Sequence, residues 1–321
     1  MSRKGSITHQ IVTRCPGLRP GASKASKNTF VQHRNNAIRF GKWCKTNCSC
    51  QDYDDITNNI VELLNQYSSW LESEGKTAST IHTYVAGCCA AWQIPMGEVK
   101  KPVRHCYENT RSRGKKAVDQ RNDAKREASP RLFDFAEKVG IRRHEYLSLR
   151  QDNLKIDESG YLCVEVQKGK GGKYQLQRLL SQDVDFVKDY FDGSDKYVFA
   201  KEEMENKIDL HAIRADIAKE AYRYYLDRLC SEPTYREQLE REIEARWRIY
   251  RGKTKGDEST DRNWDVEKVR GSYHIRGNNR KYAIANGLDT SYDRCAVMAV
   301  SVFHLSHWRC DVTIDNYLLA I

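Results

Sequence analysis

The sequence predicts a mainly α protein with a small antiparallel β-sheet, arranged in two domains, and three observations lead there. Apolar side chains recur at helical spacing over Ile56–Leu71 and Ile81–Trp92, while alternation at Leu162, Val164 and Val166 before a glycine-rich turn marks a single strand pair. Between these regions lies a basic stretch with almost no large apolar side chains. At 321 residues the chain is long enough to bury two cores.

Residues 1–27 mix Gly, Pro, Ser, Lys and Arg without apolar periodicity, which predicts a basic, disordered tail. Phe30–Trp43 reads as a helix. Ile56, Ile60, Leu63, Leu64, Tyr67, Trp70 and Leu71 fall on one face of a second helix that ends at Gly75. Ile81, Tyr84, Val85, Cys88, Cys89 and Trp92 make a third. Residues 28–106 are therefore expected to form an all-helical bundle whose aromatic stripes pack its core. Residues 107–127, including Arg111-Ser112-Arg113-Gly114-Lys115-Lys116, form the natural linker, either a solvated surface or a strap along a polyanion. Residues 128–321 make the second domain. It opens with a helix over Leu132–Val139, then Gly140 and a helix carrying Arg142 and Glu145. The strand pair closes through Gly169–Gly172 and returns over Tyr174–Leu180 as a hairpin. Behind Asp209, a plausible N-cap, Ile213, Ile217, Ala221 and Tyr224 repeat at helical spacing. Residues 231–265 are strongly charged and read as an exposed helix and loop within an insertion spanning about 231–270.

Lys plus Arg outnumber Asp plus Glu by 54 to 44, and residues 1–50 carry ten basic residues and no acidic one. A basic arm ahead of a nearly balanced body implies a polyanionic partner, nucleic acid ahead of an anionic membrane surface, because neutralising phosphates releases condensed counterions. No apolar run approaches the roughly 20 residues that span a bilayer, and Met1–Lys27 lacks the apolar stretch of a signal peptide. A cytoplasmic protein is expected. The eleven cysteines lack small-scaffold spacing and read as reduced thiols. Cys44, Cys48 and Cys50 do not follow a standard zinc-finger spacing, so buried or surface thiols are expected there rather than a metal.

Four short motifs in order carry chemistry: Gly140-Ile141-Arg142-Arg143-His144-Glu145, Gly169-Lys170-Gly171, His211-Ala212-Ile213-Arg214, and His307 followed ten residues later by Tyr317. A phosphodiester resists nucleophiles because its charge repels them and its transition state gains further charge. Two arginines answer both problems, since each guanidinium stays protonated and donates parallel bonds to phosphate oxygens. A lysine at a hairpin tip can protonate a leaving oxygen, histidines can hold or shuttle protons, and a tyrosine can store the bond energy as a phosphotyrosyl ester.

These motifs resemble the catalytic domain of the tyrosine recombinases, the phage integrase family. Gly140–Leu147 matches its first-arginine box, Lys168–Lys173 resembles its β-hairpin lysine turn, and His211-x-x-Arg214 resembles its second-arginine box. Leu305-Ser306-His307 is similar to its Leu-Gly-His box, Asp311–Leu318 to its nucleophile helix, and Thr77–Tyr84 to part of its core-binding domain. The resemblance implies a two-domain, C-shaped clamp on double-stranded DNA and a site-specific recombinase or integrase of a mobile element. Tyr317 is then the nucleophile and Arg142, Arg214, Lys170, His211 and His307 complete the catalytic set. Glu145 orients Arg142 or packs structurally. Lys168 and Lys173 compete with Lys170, and Trp308 either covers the site or fills the core. The resemblance also implies a tetrameric synapse on DNA, no nucleotide or metal cofactor, and room for a DNA-bending accessory factor.

Three departures stand out. The His307–Tyr317 spacing is one longer than the family's usual, Ser306 replaces a glycine, and 93 residues separate Arg214 from His307, far more than is typical. His274-x-x-Gly277 lies in that gap and breaks the His-x-x-Arg pattern, so His211 and Arg214 are preferred. Two other functions use the same framework: a degenerate recombinase that binds DNA without catalysis, and a type IB topoisomerase acting without synapsis.

Overall fold

A computed structural model describes residues 5–19, 21–22, 26–104, 126–169, 174–193, 195–205, 208–250 and 264–319. The chain divides into two compact units, Met1–Glu108 and Asn109–Ile321. Among the described residues the first has helices as its only regular elements. The second is mainly α with a small three-stranded antiparallel sheet and a separate two-stranded one.

In the first unit α1 (Ile7–Arg14) begins where the Ser6 side chain accepts from His9 N. Its Ile7 and Ile11, with Cys15 and Leu18 from the turn that follows, are buried in one core with Phe40, Tyr67, Ile81 and Trp92. The disordered tail expected over residues 1–27 is thus corrected for 5–19: four apolar residues, too few to show a period in sequence, suffice to anchor the segment. Gly17 makes this possible, because a Cβ there would stand 1.9 Å from the carbonyl oxygen of Ala90. Then come α2 (Lys27–Asn47), α3 (Tyr53–Asn58), α4 (Ile60–Ser73) and α5 (Ala78–Trp92). Ser26, Asp52 and Thr77 cap α2, α3 and α5, each accepting from backbone N–H groups of the first turn. Asn36 Nδ2 donates to Thr83 O and joins α2 to α5. Cys44 and Cys50 are buried and Cys48 half-buried, and all cysteines among the described residues are free thiols. The expected linker lies outside the described residues except for residues 126 and 127.

The second unit starts with α6 (Pro130–Ala136) and the single turn α7 (Arg143–Tyr146). Strands β1 (Leu154–Ile156), β2 (Leu162–Val166) and β3 (Gln175–Arg178) form an antiparallel sheet in that order, with Val164 opposite both Leu154 and Gln177. The chain next runs through α8 (Val184–Lys188) into the 22-residue α9 (Leu210–Ser231). Asp209 caps α9 by accepting from His211 N and Ala212 N. This helix serves two cores: Ile213 and Ile217 pack with Phe135 and Tyr146, while Ala218, Ala221 and Tyr225 pack with Ala296, Phe303 and Ile314.

The charged segment after α9 forms α10 (Tyr235–Tyr250), and the expectation of an exposed helix is corrected here. Tyr235, Leu239, Ile243 and Trp247 are buried at four-residue intervals, and so are Glu242 and Arg246. Arg246 donates to Asp157 at 2.6 Å and to Leu176 O at 2.9 Å, and Arg178 donates to both Asp157 and Glu242. The charges that suggested a solvated face instead satisfy one another against the sheet. Strands β4 (Ser272–His274) and β5 (Ser291–Asp293) flank α11 (Gly277–Ala285). The chain ends through α12 (Arg294–Ala299), a π-helical turn over Val300–Leu305, α13 (Cys310–Thr313) and a second π-helical turn over Ile314–Leu318. Among the described residues no helix is long and apolar enough to cross a membrane.

Candidate functional site

The first-arginine motif leaves α6 at Gly140, whose missing side chain lets the chain approach α9. A Cβ there would meet Ile217 Cδ1 at 3.1 Å and Arg214 Cα at 3.4 Å. Arg142 precedes α7, and its backbone N–H donates to Glu145 Oε2 at 2.7 Å while its Nη1 donates to Oε1 at 3.0 Å. The Glu145 side chain is fully buried and also accepts from Gln175 Nε2 at 3.2 Å. A carboxylate with this many donors is a fixed anchor for Arg142, which keeps about a fifth of its own side chain exposed.

Arg214 lies one turn into α9 and is fully buried. Its Nη1 donates to Gly140 O and its Nη2 to Leu305 O, the latter at 2.8 Å, so the guanidinium ties the first-arginine motif to the segment before His307. Burial holds its pKa below the ordinary arginine value; the neighbouring Tyr317 works against that shift and the charge of Arg142 adds to it.

Tyr317 sits in the second π-helical turn and is buried to 4% exposure. Its hydroxyl lies 3.0 Å from His307 Nε2. The His211 ring stands edge-on to the Tyr317 ring, with centroids 5.6 Å apart. His307 is held by its own backbone, since its N–H donates to Ser301 O at 2.9 Å. The residues on either side of it, Ser306 at φ 54° and Trp308 at φ 60°, occupy the left-handed region, a backbone conformation that favours glycine. Trp308 is half-buried, packs on the core and meets Trp247 edge-on at 5.3 Å.

The structure therefore brings Arg142, Glu145, His211, Arg214, His307 and Tyr317 into one contiguous group. Lys170 and Lys173 lie outside the described residues, and Lys168 is exposed just past the end of β2. The returning strand β3 puts Gln175 on Glu145, so the hairpin stem adjoins the Arg142–Glu145 pair. Among the described residues no three His, Cys, Asp or Glu side chains converge as a metal site.

No family model and no curated protein matches this sequence. A solved structure, the crystal structure of XerA recombinase, aligns with 14% identity over 68% of this chain and 84% of that one, at a TM-score of 0.22. At that score the likeness is a coarse one.

Three contributors to the site had no signal in the sequence. Gln175 and the carbonyls of Gly140 and Leu305 act through bonds that only the fold creates. His304, three residues before His307, is fully buried and shares a 3.0 Å hydrogen bond with the Tyr225 hydroxyl. Burial, with the charges of Arg178, Arg214 and Arg246 behind it, pushes its pKa down to about 3, so it stays neutral.

Proposed function

We propose that this chain is a tyrosine-type DNA strand transferase, a site-specific recombinase or integrase serving a mobile element. The observation that carries the reading is the Tyr317 hydroxyl, set 3.0 Å from a histidine nitrogen and beside the Arg214 guanidinium. In this reading His307 takes the phenolic proton as the Tyr317 oxygen attacks the scissile phosphorus. The P–O5′ bond breaks, Lys170 protonates the departing 5′ oxygen, and a 3′-phosphotyrosyl ester remains. Arg142 and Arg214 neutralise the non-bridging oxygens, and His211 supports the same face. Attack by a 5′-hydroxyl of a partner duplex reverses the step and rejoins the strands, which requires a tetramer of protomers on two duplexes. The first unit and residues 107–127 would hold the duplex backbone, and the protein would act in the cytoplasm.

Tyr317 and Arg214 are closed to solvent in the free chain, so the duplex must displace part of the segment after Leu305 on entry. The test is a nicked suicide duplex that traps the covalent intermediate. Wild type should form an adduct that survives denaturation, and Tyr317→Phe should bind the duplex equally well and form none. An adduct persisting in Tyr317→Phe would overturn the assignment.

One observation favours a second reading, that of a DNA-binding protein without catalysis: both terminal nitrogens of Arg214 are already engaged by backbone carbonyls. Duplex binding by wild type with no adduct on any suicide substrate would establish it.

A further inference from the structure

The segment His274–Lys281, with its broken His-x-x-Arg pattern, has no part in the Tyr317 site. It runs from β4 into α11, and its inner face is firmly held. Ile275 and Ala283 belong to the same core as Ile314 and Tyr317, and Asn279 Nδ2 donates to Asp315 Oδ1 at 3.1 Å, two residues before Tyr317. The outer face carries Arg276, Asn278, Arg280 and Lys281, all exposed. Among the described residues none of these three cations has an ion-pair or side-chain hydrogen-bond partner, and no acidic residue occurs between Glu267 and Asp289. Nearby helices are different: Arg228 pairs with Glu232, Arg236 with Asp293 and Arg248 with Glu244. Arg276 is the extended N-cap residue of α11, and Arg280 and Lys281 follow in its first turns. A helix whose N-cap and first turns carry three exposed, unpaired cations, and which is bonded to the Tyr317 segment through Asn279, fits an anionic surface brought up to that segment.

We propose that the outer face of α11 is a contact for the phosphate backbone of duplex DNA, placed beside the Tyr317 element. This rests on the reading of the chain as a DNA strand transferase. Exposed guanidinium groups can each hold a phosphate without reading a base, so the contact adds affinity and register rather than sequence preference.

The experiment compares the full-length chain with the triple variant R276A/R280A/K281A on a labelled mixed-sequence duplex over a range of salt concentrations. A second triple, K188A/K196A/K201A, removes three cations from another exposed part of the same unit. For every phosphate that the protein no longer neutralises, the slope of log affinity against log salt should flatten by roughly 0.9. The α11 triple should therefore show a slope shallower by about two to three and bind at least tenfold more weakly at low salt, while the second triple keeps the wild-type slope. An unchanged slope in the α11 triple, or an equal flattening in the second triple, would overturn the proposal with the transferase reading intact. An unchanged slope accompanied by altered sedimentation would assign the face to a second copy of this chain. Failure of wild type to bind duplex at all would instead remove the transferase reading, and this surface with it.

Discussion

The Tyr317 hydroxyl and His307 Nε2 stand 3.0 Å apart, and the loop that carries His307 is fastened to Ser301 by three hydrogen bonds. In the tautomer that leaves Nε2 unprotonated, the imidazole accepts from the Tyr317 hydroxyl. His307→Ala should leave duplex binding unchanged and slow adduct formation by about a hundredfold or more, the usual range for a positioned acid–base group. Single-turnover adduct formation on a suicide duplex measures it. A loss of binding matching the loss of rate would mean that His307 positions DNA instead.

Arg142 depends on Glu145. Replacing this fully buried carboxylate with glutamine removes the charge from two bonds to Arg142, each charge-assisted bond being worth about 1.5–3 kcal/mol. Glu145→Gln should cost about 2 kcal/mol in urea unfolding, and Glu145→Ala about 3 kcal/mol or more because the guanidinium loses its partner altogether. In both variants adduct formation should fall further than duplex affinity, since under the proposed function Arg142 meets the phosphate and is no longer fixed. Equal losses would make Glu145 a packing residue only.

Much of this site is legible in the sequence because its determinants are local. Asp209 two residues before His211 and Gly140 before Arg142 each act within a few residues of the group they position. The parts that are not legible depend on distant partners. Residues 5–19 present glycine, proline and basic residues, the composition of a solvated tail, yet Gly17 lies against Ala90 and Ile11 against Gly41. Helix α10 presents charge at nearly every turn, and only the fold reveals that Arg246 and Glu242 meet Asp157 and Arg178 across the sheet. Ser306 shows the limit from the other side: the turn needs a left-handed residue, and serine supplies it at a cost of about 1–2 kcal/mol that glycine would avoid.

His304 gives the stability of the second unit a pH dependence. Burial and the charges of Arg178, Arg214 and Arg246 lower its folded pKa to about 3, while the unfolded side chain titrates near its ordinary value of 6.5. A depressed folded pKa means that the unfolded chain takes up the proton first. Stability is therefore complete above about 6.5 and declines as pH falls toward the folded value, by about 1.4 kcal/mol per pH unit for one proton. His304→Gln keeps a hydrogen-bonding partner for Tyr225 and removes the titration. Its urea midpoint should change less than that of wild type between about pH 6.5 and about pH 4.5, and parallel curves would show that His304 does not control this limb.

The N-terminal segment supplies the last prediction. A solvated tail could be cut away without harm to the first unit, but Ile7, Ile11, Cys15 and Leu18 are all buried in its core. Ile11→Ala should cost about 2–4 kcal/mol, the range for truncating a buried isoleucine. Gly17→Ala tests the docking more sharply, because the added methyl would stand 1.9 Å from the Ala90 carbonyl oxygen and neither backbone can yield without moving the turn or α5. That substitution should destabilise by about 2 kcal/mol or more, although alanine at an exposed glycine would ordinarily stabilise a loop by restricting the unfolded chain. Gly21→Ala is an imperfect control, since Gly21 has open space around it but a φ of +80°. Gly97→Ala is the better one, with no atom within 4 Å and no unusual backbone angle. Chemical denaturation of the full chain, followed by the fluorescence of Trp43, Trp70 and Trp92 among the others, should show Gly17→Ala and Ile11→Ala unfolding at lower urea while Gly97→Ala tracks wild type. Wild-type midpoints for both core variants would return residues 5–19 to the solvent.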